Sequence, residues 1–333
     1  MRLEQYLENP DILQRYRKIK PYFKFKESLY EVTNKCQLRC QGCYYFTGSK
    51  HEVTAIEQVQ SWLETFRLES KRGVTFANIA GAEPSLVPSI LSAVASQIKH
   101  GVIYTNGLKV IPEDIPYMIH ISIWGNDETD ELYRGANCLT RQLKNYKDDP
   151  RAVFVYTFNK HNIDDVDGVI DKVISNGNSI AFNFFSSTFE GDNELKFDKE
   201  ALLKLRNKLL YIAELKSPSV LVTPYLVEVH TNSEGLYNQF GCPYPRKAKI
   251  KSFGVGSTFK NIRADLTEVY DSCCNPDIDC NDCRSYAAGS VILSSAMPKH
   301  IQDEAKFRGW LDYVDCYLAT FFPNYIMDEP LYV

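Results

Sequence analysis

Strand-like and helix-like segments alternate along the chain with a regularity that few folds accommodate. Residues 27–33 (ESLYEVT) alternate as a strand. Thr54–Glu57 is a Thr-x-x-Glu capping box, expected to open a helix in which Ile56, Val59, Leu63 and Phe66 share a face. Further strands are expected at 74–80, 102–105, 118–123, 152–157 and 179–185, with one more at 219–223. Helices are expected at 87–99, 129–147, 163–175 and 198–215. In the last of these Leu202, Leu205, Leu209 and Ile212 form an apolar stripe. A short amphipathic helix is expected over 1–20. Parallel strands joined by helices give a sheet covered on its faces. About six such units predict an α/β fold, a partial (β/α)6 barrel of the TIM type, with its active groups at the carboxyl ends of the strands.

After residue 235 Gly, Pro, Asn, Asp and Cys become dense and helical periodicity fades until near 300. The expected division is therefore an N-terminal helical extension (1–26), the barrel (27–235), and a small C-terminal cysteine-rich domain with a tail (236–333). No apolar run is long enough to cross a bilayer, and the charged N-terminus lacks a signal-peptide core. A soluble, cytoplasmic chain with no membrane partner is expected. A net charge of −4 argues against a nucleic-acid polymer as partner. The 21 Tyr and 18 Phe suit a deep, well-lined pocket.

In a reducing compartment ten cysteines point to metal or catalysis rather than to disulfides. Eight fall in two groups, at 36–43 and 242–283. In the first, TNKCQLRCQGCYYF places Cys36, Cys40 and Cys43 at C-x3-C-x2-C on the loop after the first strand. Three thiolates can hold three corners of a cubane iron–sulfur cluster and leave the fourth iron open. Lys35 and Arg39 nearby would favour thiolates. The same three cysteines also admit a structural zinc site, completed by His51 or a distant cysteine.

The loop resembles the cluster motif of the radical S-adenosylmethionine (SAM) superfamily, and later strands carry the resemblance on. Gly81-Ala82-Glu83-Pro84 resembles that family's GGEP element, which implies that Gly81, Ala82 and Glu83 hold the SAM amino group. Thr105-Asn106-Gly107 resembles the TNG turn near the ribose, and Ser122 ends the fourth strand where a serine contacts SAM. Tyr133-Arg134-Gly135 resembles an arginine–glycine pair of the SPASM and twitch subgroup, so Arg134 would meet the SAM carboxylate. Asn162 fits an asparagine common in that subgroup. These elements span residues 27–190. Gly42 stands before the third cysteine, where the family usually has an aromatic residue against adenine, which leaves Tyr44, Tyr45 or the backbone to make that contact.

The resemblance implies a [4Fe-4S] cluster on Cys36, Cys40 and Cys43, with SAM as cofactor and an external electron donor such as flavodoxin or ferredoxin. It also implies reductive cleavage of SAM to a 5′-deoxyadenosyl radical, which abstracts hydrogen from a substrate. For the second cysteine group it implies an auxiliary iron–sulfur cluster on Cys242, Cys274, Cys280 and Cys283, with Cys273 interchangeable with Cys274. The gap of about thirty residues after Cys242 departs from the usual short spacing, and a zinc knot is the competing reading.

The expected substrate is a small molecule: a sugar, a nucleoside or a biosynthetic intermediate. Tyr156, Asn183 and Phe185, at the ends of the fifth and sixth strands, are candidate contacts. The alternatives are a peptide-modifying maturase and a non-catalytic, zinc-stabilised binding protein. Such maturases often carry a peptide-docking domain ahead of the barrel, for which the 35 residues before Cys36 are too few. Cys138, Cys316, His120 and His230 read as core residues.

Overall fold

The structure is a computed structural model. It describes residues 3–47, 50–188, 193–241, 259–270, 278–289, 292, 297 and 303–322. Cys242, Cys273 and Cys274 lie outside these residues.

A nine-stranded sheet organises the chain, in the order β7-β6-β5-β4-β3-β2-β1-β8-β9. The strands are β1 (Glu27–Glu31), β2 (Phe76–Ala80), β3 (His100–Thr105), β4 (Met118–Ile123), β5 (Ala152–Phe158), β6 (Ser179–Phe184), β7 (Val220–Leu221), β8 (Lys260–Ile262) and β9 (Glu268–Tyr270). Strands β1 to β8 pair in parallel, and β9 turns back antiparallel on β8. The sheet curves into a partial barrel and does not close. Every residue of β2 and of β5 is buried, as befits strands covered on both faces.

The helices follow from local signals. Asn9 caps α2 (Pro10–Ile19), accepting from Asp11 and Ile12 amides, so the expected 1–20 helix is broken into α1 (Leu3–Tyr6) and α2. The Thr54 box opens no helix. α3 runs from Val59 to Lys71 and buries Trp62, Phe66 and Glu69. The chain ahead of it is instead drawn toward the sheet, with the Ile56 amide donating to Ala264 O. The helix expected at 129–147 is two, α5 (Asp127–Arg134) and α6 (Leu139–Asn145), because Gly135 takes a left-handed conformation at φ +77° and ends the first. α4 (Pro88–Ala95), α7 (Val166–Ser175) and α8 (Lys199–Glu214) stand where expected. Asp198 caps α8, and its four-residue apolar stripe is buried as foreseen. The short helices α9 (Pro224–His230) and α10 (Leu236–Phe240) follow, and α11 (Glu304–Phe321) is last.

The largest departure from the sequence reading lies in the cysteine-rich segment. Residues 259–270, placed in a second domain on composition, add β8 and β9 to the barrel's own sheet beside β1. The other flank of the barrel, beyond β6, is covered by residues 278–289 and α11. Thr188 bridges to Ile278, the Asp279 amide donates to Ser187 O, and the Tyr286 amide donates to Asn183 Oδ1 at 3.1 Å. Tyr286, Tyr317 and Phe321 face the barrel's interior cavity.

His120 ties this cover to β4. Its Nε2 lies 2.7 Å from Thr320 O, an obligatory acceptor, so Nε2 carries the proton and Nδ1 accepts from the Tyr286 hydroxyl at 2.8 Å. Burial lowers its pKa to about 4, and His230, stacked on Phe184 with Nδ1 2.8 Å from Arg284 O, is lowered to about 4 as well. Both are core histidines. Their folded pKa values lie below the unfolded value, so the unfolded chain takes up the extra protons, and stability falls as pH drops from 6.5 toward 4. Urea unfolding at pH 7 and pH 5 is expected to show a loss of about 2 kcal/mol from His120. That share should be missing in His120→Asn; an unchanged difference between the two pH values would refute it.

Candidate active site

A cavity of about 330 Å³ fills the barrel interior and opens at the carboxyl ends of its strands. Alternation along each strand decides which side chains reach it. From β1 to β6 these include Leu29, Ala80, Tyr104, Ser122, Val155, Thr157 and Asn183.

The three-cysteine loop forms the upper wall, and Cys36, Cys40 and Cys43 all line the cavity. Each sulfur meets donors. Cys36 Sγ accepts from the Leu38 amide at 3.3 Å and from Asn106 Nδ2 at 3.7 Å. Cys40 is bonded by Arg134, and Cys43 by the Phe46 and Tyr45 amides. Burial raises all three thiols, and these donors pull against it. N–H donors around sulfur suit thiolate ligands of an iron–sulfur cluster. Three thiolates on a cubane bind three different irons and need not converge. Among the described residues no three His, Cys, Asp or Glu side chains gather around one point, as a single ion would require.

The local cation is not the one expected. Lys35 pairs with Glu57 on the surface, and Arg39 donates to the Cys36 and Leu38 carbonyls and lies 4.2 Å from the Phe46 ring centroid. Arg134 takes the role instead. It is 2% exposed, donates to Ser122 O at 2.6 Å and pairs with Asp130, itself fully buried, at 3.3 Å. Burial works against its charge, and Asp130 together with the Cys138 and Cys40 sulfurs outweighs burial and raises the pKa. Asp130 also accepts from the Trp124 amide at 3.0 Å. Sequence reasoning missed Asp130, whose signal was its i,i+4 spacing ahead of Arg134.

Glu83 is 1% exposed. Its carboxylate accepts from Thr105 Oγ1 at 2.6 Å, the Asn106 amide at 2.7 Å and the Ser85 amide at 2.9 Å. It thus fastens the end of β2 to the end of β3. Gln142 adds a further clasp, from Nε2 to Asn106 O at 2.7 Å and to Ser122 O at 2.9 Å. Gly81, at φ +122°, has no room for a side chain: a Cβ would lie 2.6 Å from Thr33 O. The Ala82 amide donates to that same oxygen at 2.9 Å, and its methyl is accommodated. Asn162 is a staple, donating to Trp124 O at 2.6 Å and Thr157 O at 2.9 Å.

Of the two tyrosines after Cys43, Tyr44 lines the cavity and Tyr45 is buried at 1% exposure. Gly42 is explained by its surroundings. It sits at φ +67°, and a Cβ there would lie 2.8 Å from the Phe185 ring. Phe185, from just beyond β6, occupies the space beside position 42 and lies next to Trp124 in the cavity lining. Gly42→Ala is expected to lower stability by about 1–2 kcal/mol from the left-handed backbone alone, with more from displacing Phe185. Thermal unfolding checks this, and an unchanged midpoint would refute it.

Asn183 and Phe185 reach the cavity, but Tyr156 does not. Val155 and Thr157 face inward, so Tyr156 points out of the barrel, where it is fully buried and its hydroxyl donates to Asn162 O at 2.7 Å. Cys138 is fully buried against Leu38 and Leu108, with Cys36 and Cys40 packed beside it. Cys316 packs on the core from α11. Cys280 and Cys283 are half-buried, on a turn that Asp282 ties to the Ser187 hydroxyl at 2.8 Å.

No protein-family model matches the chain. Over 121 residues (34% of the chain, 42% of the relative) it is 26% identical to an S-adenosylmethionine-dependent nucleotide dehydratase of a Thermoplasmatales archaeon (strain ISO4-H5). The chain thus spans less than half of that curated relative. Among solved structures it is similar to Streptococcus suis SuiB bound to precursor peptide SuiA, with TM-score 0.56 and 15% identity over 96% of this chain and 80% of that one. It is also similar to anSMEcpe with bound AdoMet and Cp18Cys peptide, with TM-score 0.50 and 13% identity over 91% and 86%. A third, SuiB alone, matches at TM-score 0.54 and 16% identity over 81% and 66%. In fold and in its three-cysteine loop the chain resembles the radical SAM superfamily, and it is built on a partial barrel similar to those of these structures.

Proposed function

We propose that the chain is a radical SAM enzyme that abstracts hydrogen from a small organic substrate held in the barrel lumen. One observation carries the reading. A single cavity joins Cys36, Cys40 and Cys43 to Glu83, Asn106, Ser122 and Arg134 above, and to Thr157, Asn183 and Phe185 below. When bound, a [4Fe-4S] cluster with SAM supplies reductive cleavage to a 5′-deoxyadenosyl radical, given an external electron donor such as flavodoxin or ferredoxin.

The chain's own residues prepare the place. Cys36, Cys40 and Cys43 present thiolates whose negative charge Arg134 and the amides of the loop offset. Asp130 and Ser122 O hold Arg134 at the wall, where its guanidinium would meet a SAM carboxylate. Glu83, Thr105 and Asn106 fix the two strand ends, which would hold the methionine and ribose parts of SAM. Trp124, Tyr44 and Phe185 bring apolar surface that keeps water from the reacting centre. Cys280 and Cys283, with Cys242 and Cys274, would hold an auxiliary cluster.

A nucleotide substrate, as the dehydratase relative's name indicates for that protein, needs cations for its phosphates. Among the described residues Arg134 is the one Lys or Arg that lines the cavity, and Asp130 already engages it. A peptide substrate is the second reading, favoured by the peptides named in the SuiB and anSMEcpe structures.

The test is to reconstitute the protein anaerobically, reduce it with SAM and deuterated candidate metabolites, and follow deuterium into 5′-deoxyadenosine. Transfer from a small metabolite supports the reading. Transfer only from a peptide would replace it with the second.

A further inference from the structure

The lumen ends, away from the cysteines, at a polar chain that no role above uses. The Tyr104 hydroxyl donates to Asn78 Oδ1 at 3.0 Å, and Asn78 Nδ2 donates to Glu27 Oε2 at 3.1 Å. These two bonds fix which way the Asn78 amide points and leave Glu27 Oε1 over. Glu27, Asn78 and Tyr104 all line the cavity. Asn78 supplies the one hydrogen bond to the Glu27 carboxyl among the described residues, and no cation faces it. Burial pushes its pKa up, with the Asn78 bond pulling the other way.

The neighbours sharpen the contrast. Three other buried carboxylates of the barrel wall have cations. Glu69 has Lys260 and Arg72, Asp130 has Arg134, and Glu31 has Lys50. Two carboxyls of the lumen have no cation among the described residues, Glu83 and Glu27; three donors satisfy Glu83, and Glu27 has one. Glu27 is half-buried, and a carboxylate drawn partly from water without a partner charge is disfavoured, so an unpaired one facing a binding cavity is suited to a charge brought by the ligand. The side chains around it are aromatic or neutral. Tyr104 presents its ring edge-on to His120, which is uncharged, and Phe259 and Leu29 complete the apolar surround. Aromatic faces add attraction for a cation and none for an anion.

We propose that Glu27 is a specificity-determining residue that anchors a protonated amine of the substrate at the lumen floor, with Tyr104 and Phe259 flanking it. This rests on the lumen being the substrate chamber, and it narrows the substrate class to amine-bearing compounds that are small enough to stand beneath SAM.

The test titrates the cluster-loaded protein by calorimetry with two probes that differ in one group, 2-phenylethylamine and 2-phenylethanol. The amine is expected to bind about ten- to a hundredfold more tightly, the range of a hydrogen bond between charged groups. Glu27→Gln should erase that preference. Asn78→Ala, which leaves the Glu27 carboxylate in place, should retain it, and this second variant decides the matter if Glu27→Gln proves unfolded by circular dichroism. Equal affinities, no binding of either probe, a preference that survives Glu27→Gln, or its loss in Asn78→Ala would each overturn the proposal. Iron content and SAM cleavage in the same wild-type preparation report separately on the radical reading. An iron-free protein that still prefers the amine would retire that reading and keep this one.

Discussion

Changing Cys36, Cys40 or Cys43 to alanine, one at a time, is expected to take 5′-deoxyadenosine formation to background. It should also remove the iron and sulfide of one cubane cluster per chain. The effect should be close to all-or-none, because a cluster held by three thiolates on one loop loses a third of its protein ligands with each substitution. The folded barrel should survive. The three cysteines are half-buried on a loop and contribute little to the main core, so far-ultraviolet circular dichroism should be unchanged. Cys138→Ala is the control. Its sulfur packs beside Cys36 and Cys40 and bonds to Ala136 O at 3.2 Å, and the substitution should leave the iron content intact. Loss of iron in Cys138→Ala equal to that in the three loop variants would contradict this assignment of ligands.

Arg134→Leu is expected to destabilise the protein even without cluster or SAM. The substitution leaves Asp130 fully buried without its cation, and removes the donor that Ser122 O takes at 2.6 Å. Breaking a buried pair of this kind costs about 3–5 kcal/mol, or a fall of roughly 10 °C in Tm for a chain of this size. Arg134→Lys keeps the charge and should recover part of the loss, while losing the guanidinium geometry at Ser122 O. A residue that served only to meet SAM would leave the Tm of the cluster-free protein unchanged. Differential scanning calorimetry of the cluster-free variants separates the two. An unchanged midpoint in Arg134→Leu would show that the Asp130 pair contributes nothing to the fold.

Much of this barrel was legible because its strands announce themselves. Segments such as 118–123 and 152–157 are apolar and β-branched, buried on both faces, and bounded by clear turns, so their existence followed from composition alone. The helix from 199 to 214 was equally plain, from its apolar stripe and its Asp198 cap. Signals were lost where one residue decides locally. Gly135 splits a helix that periodicity would continue, and the Thr54 box was outcompeted by the pairing of Ile56 with Ala264. The two strands at 260–262 and 268–270 are too short to show a period, and they lie in a segment whose composition reads as loop.

At the site, the cysteine loop and the strand-end motifs could be read from the sequence because each is a short contiguous pattern. Side-chain pairing could not. That Glu83 clasps Thr105 and Asn106, or that Phe185 fills the space beside Gly42, depends on which strands curve together. Tyr156 shows a different failure. Position at a strand's carboxyl end suggested the cavity, while the alternation of β5 with Val155 and Thr157 turned inward sends it the other way. The Glu27 chain was invisible for the same reason as Phe185, since its three members come from three strands.

The central claim, that the loop of Cys36, Cys40 and Cys43 serves SAM cleavage in this barrel, is tested most directly by one measurement. The protein is purified and reconstituted anaerobically, reduced with dithionite, and mixed with SAM, and 5′-deoxyadenosine and methionine are quantified alongside iron and zinc. A brown protein carrying iron and sulfide, forming the two products in equal amounts only when reduced, is the expected result. A colourless protein with stoichiometric zinc and no cleavage of SAM would contradict it.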